Sequence, residues 1–329
     1  MTTAAAIAAV IEMTVAAIAA TTGADGMTAD RAETARAVVT AMAMATATDM
    51  GAAGTEQPGS DIEARIGQAR RLLEQASALL IAAGAGMGVD SGLPDFRGSE
   101  GFWRAYPALG RRGLRFTDVA SPHTFIDNPA LAWGFYGHRL KLYRNTTPHD
   151  GYRLLLDTAR RMPEGAFVFT SNVDGQFQQA GFARHSLYEC HGSIHHLQCL
   201  HGCTGHIWPA DLDPVIDDEH CLWLGPLPAC PACGGLARPN ILMFGDADWL
   251  SSRSARQAAR LRDWLATTSR LLVIELGAGT AVPTVRQFSH SLHAPVLRIN
   301  VRDPDLPVGT SGVGLPLGAL DALRRICHA

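Results

Sequence analysis

The stretch Leu79-Leu80-Ile81-Ala82-Ala83-Gly84-Ala85-Gly86-Met87-Gly88-Val89-Asp90-Ser91-Gly92-Leu93-Pro94-Asp95-Phe96-Arg97-Gly98 runs an unbroken apolar segment straight into a glycine-rich loop. A short apolar run bounded by turn residues reads as a buried strand. Glycine has no Cβ, so backbone N–H groups in such a loop can come close to a phosphate. Asp95, Phe96 and Arg97 follow in the same loop: an acid, a ring and a cation. The combination points to a nucleotide site at which chemistry takes place. It is not the Gly-x-Gly-x-x-Gly fingerprint of a hydride-transfer enzyme. Gly84 and Gly86 fit that fingerprint, but Val89 stands at its third glycine and Pro94 falls where its helix would grow.

Working outward, Ser60-Asp61-Ile62-Glu63 has the pattern of a capping box, and Ile62, Ile66, Ala69 and Leu73 keep helical spacing behind it. The spacing predicts a helix, then a strand over 78–83. Three later apolar runs, 166–170, 271–276 and 294–301, read as further buried parallel strands. With helices between them, the expected fold class is α/β: a Rossmann-like, doubly wound parallel sheet with a smaller lobe. The sheet domain is expected over 61–100, 156–197 and 236–329. Residues 101–155, aromatic and helical in pattern, form one insertion. Residues 198–235 form a second and hold five of the seven cysteines. Residues 1–60, rich in Ala and Thr with few large apolar side chains, read as a low-complexity tail.

The chain has 329 residues, 47% hydrophobic and 18% charged, with a net charge of −3. Such a balance suits a water-soluble protein and gives no basic surface that would bind nucleic acid directly. No run reaches membrane-spanning length without a charge, and the Ala-rich start lacks the basic flank of a secretory signal. A cytoplasmic location without membrane attachment is the expectation.

Cys199-x-x-x-Cys203 and Cys230-x-x-Cys233 are two short cysteine pairs. Four thiolates complete a tetrahedral Zn²⁺ shell and leave no open position, as in structural sites. Cys221 and His201 are reserve ligands. Asn172 and Asp174 follow the second strand, at the carboxyl end where doubly wound folds bind ligands. His191, beside Gly192, is a candidate general base, with His195 and His196 as rivals. Gly277-Ala278-Gly279 follows the 271–276 strand as a second turn that can meet phosphate, and Asn300 closes the last strand.

The ordered set resembles the sirtuins, NAD-dependent protein lysine deacylases. It comprises the glycine loop with Pro94-Asp95-Phe96-Arg97, Asn172-x-Asp174, His191-Gly192, the cysteine pairs, Arg238-Pro239, Phe244-Gly245-Asp246, the second glycine turn and Asn300. The resemblance covers about 75–302. It implies NAD as co-substrate and a structural zinc on Cys199, Cys203, Cys230 and Cys233. It implies phosphate contacts from Gly84, Ala85 and Gly86, and a nicotinamide end shaped by Asp95, Phe96 and Arg97. Asn172 would hold the ribose region, Asp174 the nicotinamide carboxamide, and Gly277, Gly279 and Asn300 the adenosine side. His191 would be the base, acting with Asn172 and Asp174, and O-acyl-ADP-ribose, nicotinamide and free lysine would be the products.

The partners implied are acyl-lysine proteins or peptides, with Phe244 and Gly245 on the strand beside which the peptide adds. Tyr136 and Arg139, three apart on a predicted helix, match a Tyr-x-x-Arg carried by sirtuins that remove succinyl or malonyl groups. The sequence departs from the family pattern at Gly88, Ser171, Ala278, Gly279 and Val301. A sirtuin-like protein ADP-ribosyltransferase or NAD hydrolase is the alternative reading. A non-enzymatic NAD-sensing or zinc-scaffold protein is a third.

Overall fold

The computed structural model describes residues 58–94 and 98–327. The tail expected over 1–60 lies outside them, apart from the first residues of the opening helix, as do Asp95, Phe96 and Arg97.

Helix α1 (Pro58–Gln75) turns Ile66 and Ala69 fully inward, as its spacing predicts. Strand β1 (Ala78–Ala83) is buried along its whole length. It pairs in parallel with β2 (Ala166–Thr170) on one side and β9 (Leu271–Leu276) on the other. β3 (Leu187–Glu189), β10 (Val296–Ile299) and β11 (Gly312–Leu315) complete a six-stranded parallel sheet in the order β11-β10-β9-β1-β2-β3. Counted among these six alone, that order is 3-2-1-4-5-6, and it reverses between β1 and β9. At such a switch point two strand ends part their loops and leave a crevice.

Helices cover both faces. On one, Leu79, Ile81 and Ile274 pack with α1, α7 (Asp150–Arg161) and α11 (Ala319–Cys327). On the other, Leu80, Phe169 and Val273 pack with α9 (Ser252–Leu265) and α10 (Thr284–Ser291), where Phe169 and Phe288 stack at 4.0 Å. Burying each large side chain stabilises the fold by about 1.5–3 kcal/mol, and the absence of polar positions in β1 reflects cover on both sides.

The smaller lobe has its own core. Its helices are α2 (Gly98–Ala105), α3 (Pro107–Arg111), α4 (Phe116–Val119), α5 (Pro122–Asp127) and α6 (Pro129–Asn145). α6 begins at Asn128, whose side chain accepts from the Leu131 N–H at 3.1 Å, and it is buried along most of its length. Trp133 on α6 donates to the Ala237 carbonyl at 2.9 Å, tying the helices to β8 (Ala237–Ile241). β8 pairs with β4 (Gly192–Cys199), and β4 with β5 (Ile207–Pro209), in an antiparallel sheet. Ile194, Leu197, Ala237 and Ile241 pack with Phe125, Trp133 and Phe135.

Ile194, Leu197, Ala237, Ile241 and Met243 therefore pack in the small-lobe core and not in the core of the parallel sheet. An antiparallel pair that crosses between lobes has the same apolar content as a strand of the parallel sheet, so composition alone does not separate them. No helix of the described residues is long and apolar enough to cross a membrane.

Candidate active site

The switch-point crevice is built by two glycine turns pressed together. The Gly84 N–H donates to the Leu276 carbonyl at 2.9 Å and the Gly86 N–H to Gly277 at 3.0 Å. Gly277 has φ +58°, and a Cβ there would lie 2.4 Å from the Gly86 Cα. Only glycine allows this approach. Two of the three amides expected to meet phosphate thus face carbonyls within the protein, and their glycines serve close backbone packing. Ala85 is exposed, and its N–H has no backbone acceptor among the described residues. After Gly84 the chain enters a 3₁₀ turn, Ala85–Ser91, instead of an α-helix. That fits the departure from the hydride-transfer fingerprint.

Asn300 sits behind the second turn. Its Nδ2 donates to the Ala278 carbonyl at 2.9 Å, and its Oδ1 accepts from the Arg302 and Asp303 N–H groups. Its side chain fixes the turn. Gly279 has open space where a Cβ would point.

Three side chains gather where β2 ends. Asn172 donates from Nδ2 to the Gly84 carbonyl at 3.0 Å, joining the β2 loop to the first glycine turn. Asp174 is buried and accepts from the Gln176 N–H at 2.9 Å. Burial pushes its carboxyl up to about 6, with a further push from Glu189 and an opposing pull from that amide. Burial pushes the His191 imidazole down to about 4, partly offset by the nearby Ser171 backbone. The ring is therefore neutral at pH 7. A neutral imidazole carries one proton and leaves its other ring nitrogen able to act as a base.

His191 is positioned by the small-lobe sheet. Its carbonyl accepts from the Leu242 N–H at 3.0 Å, and at Gly192, with φ +82°, a Cβ would strike the Asn240 carbonyl at 2.1 Å. Of the rivals, His195 donates Nε2–H to the Asp174 carbonyl at 2.8 Å, and His196 lines a separate cavity.

Arg139 is 7% exposed and Tyr136 1% exposed, so neither is a surface residue. The Arg139 guanidinium donates to the Tyr143 hydroxyl and lies over the rings of Phe135 at 5.2 Å and Phe116 at 5.9 Å. Phe244 meets the same Phe116 ring edge-on at 5.8 Å. The structure thus brings Tyr136, Arg139 and Phe244 into one aromatic wall. Phe244 and Gly245 are not in a strand, because β8 ends at Ile241. A turn takes over, held by Asp246, which accepts from Arg238 Nη1 and Nη2 at 2.7 Å each and from the Met243 N–H.

The four sulfurs of Cys199, Cys203, Cys230 and Cys233 lie within 4.8 Å of one another, with Cys199–Cys233 at 3.7 Å and Cys203–Cys230 at 3.6 Å. Ligands at about 2.3 Å in a tetrahedron stand about 3.8 Å apart, so the donors fit Zn²⁺. The reserve ligands Cys221 and His201 are not in the cluster.

Sequence reasoning missed His149. Its Nε2–H donates to the Met87 carbonyl at 2.9 Å, and its Nδ1 accepts from the Gly151 N–H at 3.0 Å. This pair of bonds fixes the tautomer and pins the 3₁₀ turn from below. No local pattern marks it, since its partner lies 62 residues away.

A sequence model described as the Sir2 family matches residues 84–272. The chain belongs to the Sir2 family. Among curated sirtuin relatives it is 32% identical over 184 residues to an NAD-dependent protein deacylase of Pyrococcus furiosus, covering 55% of this chain and 66% of that one. It is 30% identical over 192 residues to the mitochondrial NAD-dependent protein deacylase sirtuin-5 of Canis lupus familiaris, covering 54% of this chain and 59% of that one. These two alignments therefore span less than two thirds of the relatives' own length. A longer match, 30% identical over 265 residues and covering 78% of this chain and 95% of the relative, is to NAD-dependent protein deacylase 2 of Pyrobaculum aerophilum. Among solved structures, a Sir2 homolog–NAD complex shares the fold with a TM-score of 0.60 at 20% identity, covering 84% of this chain and 95% of that one.

Proposed function

We propose that this sirtuin is an NAD-dependent protein lysine deacylase with a structural zinc. The observation that carries the reading is the switch-point crevice of two interlocked glycine turns, to which Asn172 is bonded through the Gly84 carbonyl, with the His191 backbone fixed by the Leu242 N–H just beyond β3. The residues present suit a dinucleotide: the exposed Ala85 amide and open Gly279 at the switch point for phosphate and adenosine, and buried Asp174 for a carboxamide. Asp95, Phe96 and Arg97 belong to the same proposed site by sequence.

Bound NAD would supply a ribose carbon that exchanges nicotinamide for the acyl oxygen of the substrate lysine. The free ring nitrogen of His191 takes the proton of a ribose hydroxyl, and low basicity keeps that nitrogen available at neutral pH. Asp174, poised near neutrality, can donate or accept at an amide. The aromatic wall of Phe116, Phe135 and Phe244 excludes water from the acyl chain. Arg139 within that wall favours an acyl group that ends in a carboxylate, since a guanidinium fork matches a carboxylate. The cysteine cluster holds zinc away from the reaction and fixes the small lobe.

The test is mass spectrometry of products from NAD with acetyl-, malonyl- and succinyl-lysine peptides. O-acyl-ADP-ribose is expected, with the diacid peptides preferred and that preference lost in Arg139→Met. ADP-ribosylated protein or free ADP-ribose in its place would favour the transferase or hydrolase alternative. An unchanged preference in Arg139→Met would remove the acidic-acyl reading.

A further inference from the structure

A second concavity of about 440 Å³ opens where β4, β5 and α9 meet the 184–187 segment. None of the glycine turns, Asn172, Asp174 or His191 lines it. Its lining is basic. Arg144, Arg184, Arg253, Arg256 and Arg260 surround it, and Asp211 is the one carboxylate among the described lining residues.

Some of this charge is already engaged. Arg253 pairs with buried Glu189, Arg144 donates to the Ala210 and Leu212 carbonyls, and Arg260 donates to those of His185 and Arg184. Arg184 and Arg256 are exposed and make no side-chain hydrogen bond or ion pair among the described residues. Deeper in, His196 Nδ1 and Arg253 Nη1 are buried with no hydrogen-bond partner. Like Glu189 Oε1 beside Arg253, these atoms are closed to solvent, so the anion-binding capacity of the cavity rests on the arginines that reach its surface.

We propose that this cavity binds a small phosphate-bearing molecule at a site separate from the dinucleotide crevice. Guanidinium groups pair with phosphate oxygens through two parallel N–H bonds, and Arg184 and Arg256 at one opening, in the positive field of three further arginines, match a multiply charged oxyanion better than a single carboxylate. The volume lies in the range of small-molecule sites and exceeds what one ion needs. The cavity also touches the catalytic loop from behind. His195 and Gly175 line it, and His195 donates to the Asp174 carbonyl at 2.8 Å. Occupancy therefore bears on the segment that holds Asp174.

The site stands whether or not the crevice takes NAD, and the experiment separates the two. Pyrophosphate is titrated by calorimetry into the full chain, into Arg184→Gln/Arg256→Gln, and into Asn300→Ala at the second glycine turn. Wild type and Asn300→Ala are expected to bind alike, and the double variant about tenfold more weakly. Pyrophosphate should also raise the melting temperature of wild type more than that of the double variant, whose own melting temperature stays unchanged because both side chains are exposed. Absence of heat with wild type, equal binding by the double variant, or loss confined to Asn300→Ala would each overturn the proposal. The last result would place the anion in the crevice.

Discussion

The two sheets of this molecule place their buried polar groups differently. The six-stranded parallel sheet buries apolar side chains on both faces of β1, which has no polar residue, and confines its buried charge pairs to other strands, where Glu275 on β9 pairs with Arg298 on β10 and Glu189 on β3 with Arg253. The three-stranded antiparallel sheet buries Gln198, Arg238 and Asn240, with Asp246 in the turn just beyond it. It pairs most of their polar atoms internally: Asn240 Nδ2 donates to Gln198 Oε1 at 2.8 Å, Gln198 Nε2 to the Asp248 carbonyl at 2.8 Å, and Arg238 pairs with Asp246, while Arg238 Nε and Asn240 Oδ1 are buried without a partner. The first sheet supplies a backbone site, two glycine turns at strand ends. The second aims a side chain, His191, at that site. Division of labour follows from the chemistry: apolar packing gives a rigid platform, and directional bonds give orientation.

The comparison breaks most visibly if metal is removed. Structural zinc contributes about 10 kcal/mol or more to small cysteine modules. Chelation, or Cys203→Ser, should therefore strip hydrogen-exchange protection from amides between 199 and 236 while β1 and β9 keep theirs. Equal loss in both sheets would mean that the lobes fold as one unit.

The next effect is on the buried ion pair. Arg238→Met leaves Asp246 as an uncompensated charge and should cost about 3–5 kcal/mol in denaturant unfolding, with Asp246→Leu added to it recovering part of the loss. In the parallel sheet, Leu80→Ala should cost about 2–5 kcal/mol with no second-site rescue from a polar partner. A double variant at 238 and 246 no better than the single would contradict the directional account of the antiparallel sheet.

The smallest effect concerns pH. The folded Asp174 carboxyl is raised from 3.8 to about 6, so its protonated form contributes stability that is full below the unfolded value and is lost as pH rises through about 6. Compared with Asp174→Asn, wild type should lose stability over that window. Parallel curves for the two proteins would show that burial does not hold the carboxyl proton.

The parallel sheet was legible where strands are unbroken apolar runs, as at 78–83, 166–170 and 271–276. β3 escaped because three residues show no period, and β11 because Gly312 and Gly314 leave only Val313 and Leu315 to read. The glycine turns and the cysteine cluster were legible as local motifs, and the structure presses the turns together and clusters the four sulfurs; His191, Asn172 and Asp174 were legible as candidates from their motifs. The antiparallel network was not, since Gln198 and Asn240 look like surface residues until tertiary pairing hides them. The basic cavity was equally invisible: its arginines come from α6, the 184–187 segment and α9.

One measurement reaches the central claim, that the switch point holds a nicotinamide dinucleotide against a neutral imidazole. NAD is titrated calorimetrically into wild type and His191→Ala, and nicotinamide and O-acyl-ADP-ribose are followed in the same samples after acyl-peptide is added. Both proteins should bind NAD with similar affinity, and the variant should form O-acyl-ADP-ribose about 10²-fold or more slowly. No heat with wild type, or a variant that forms product as fast, would contradict the account.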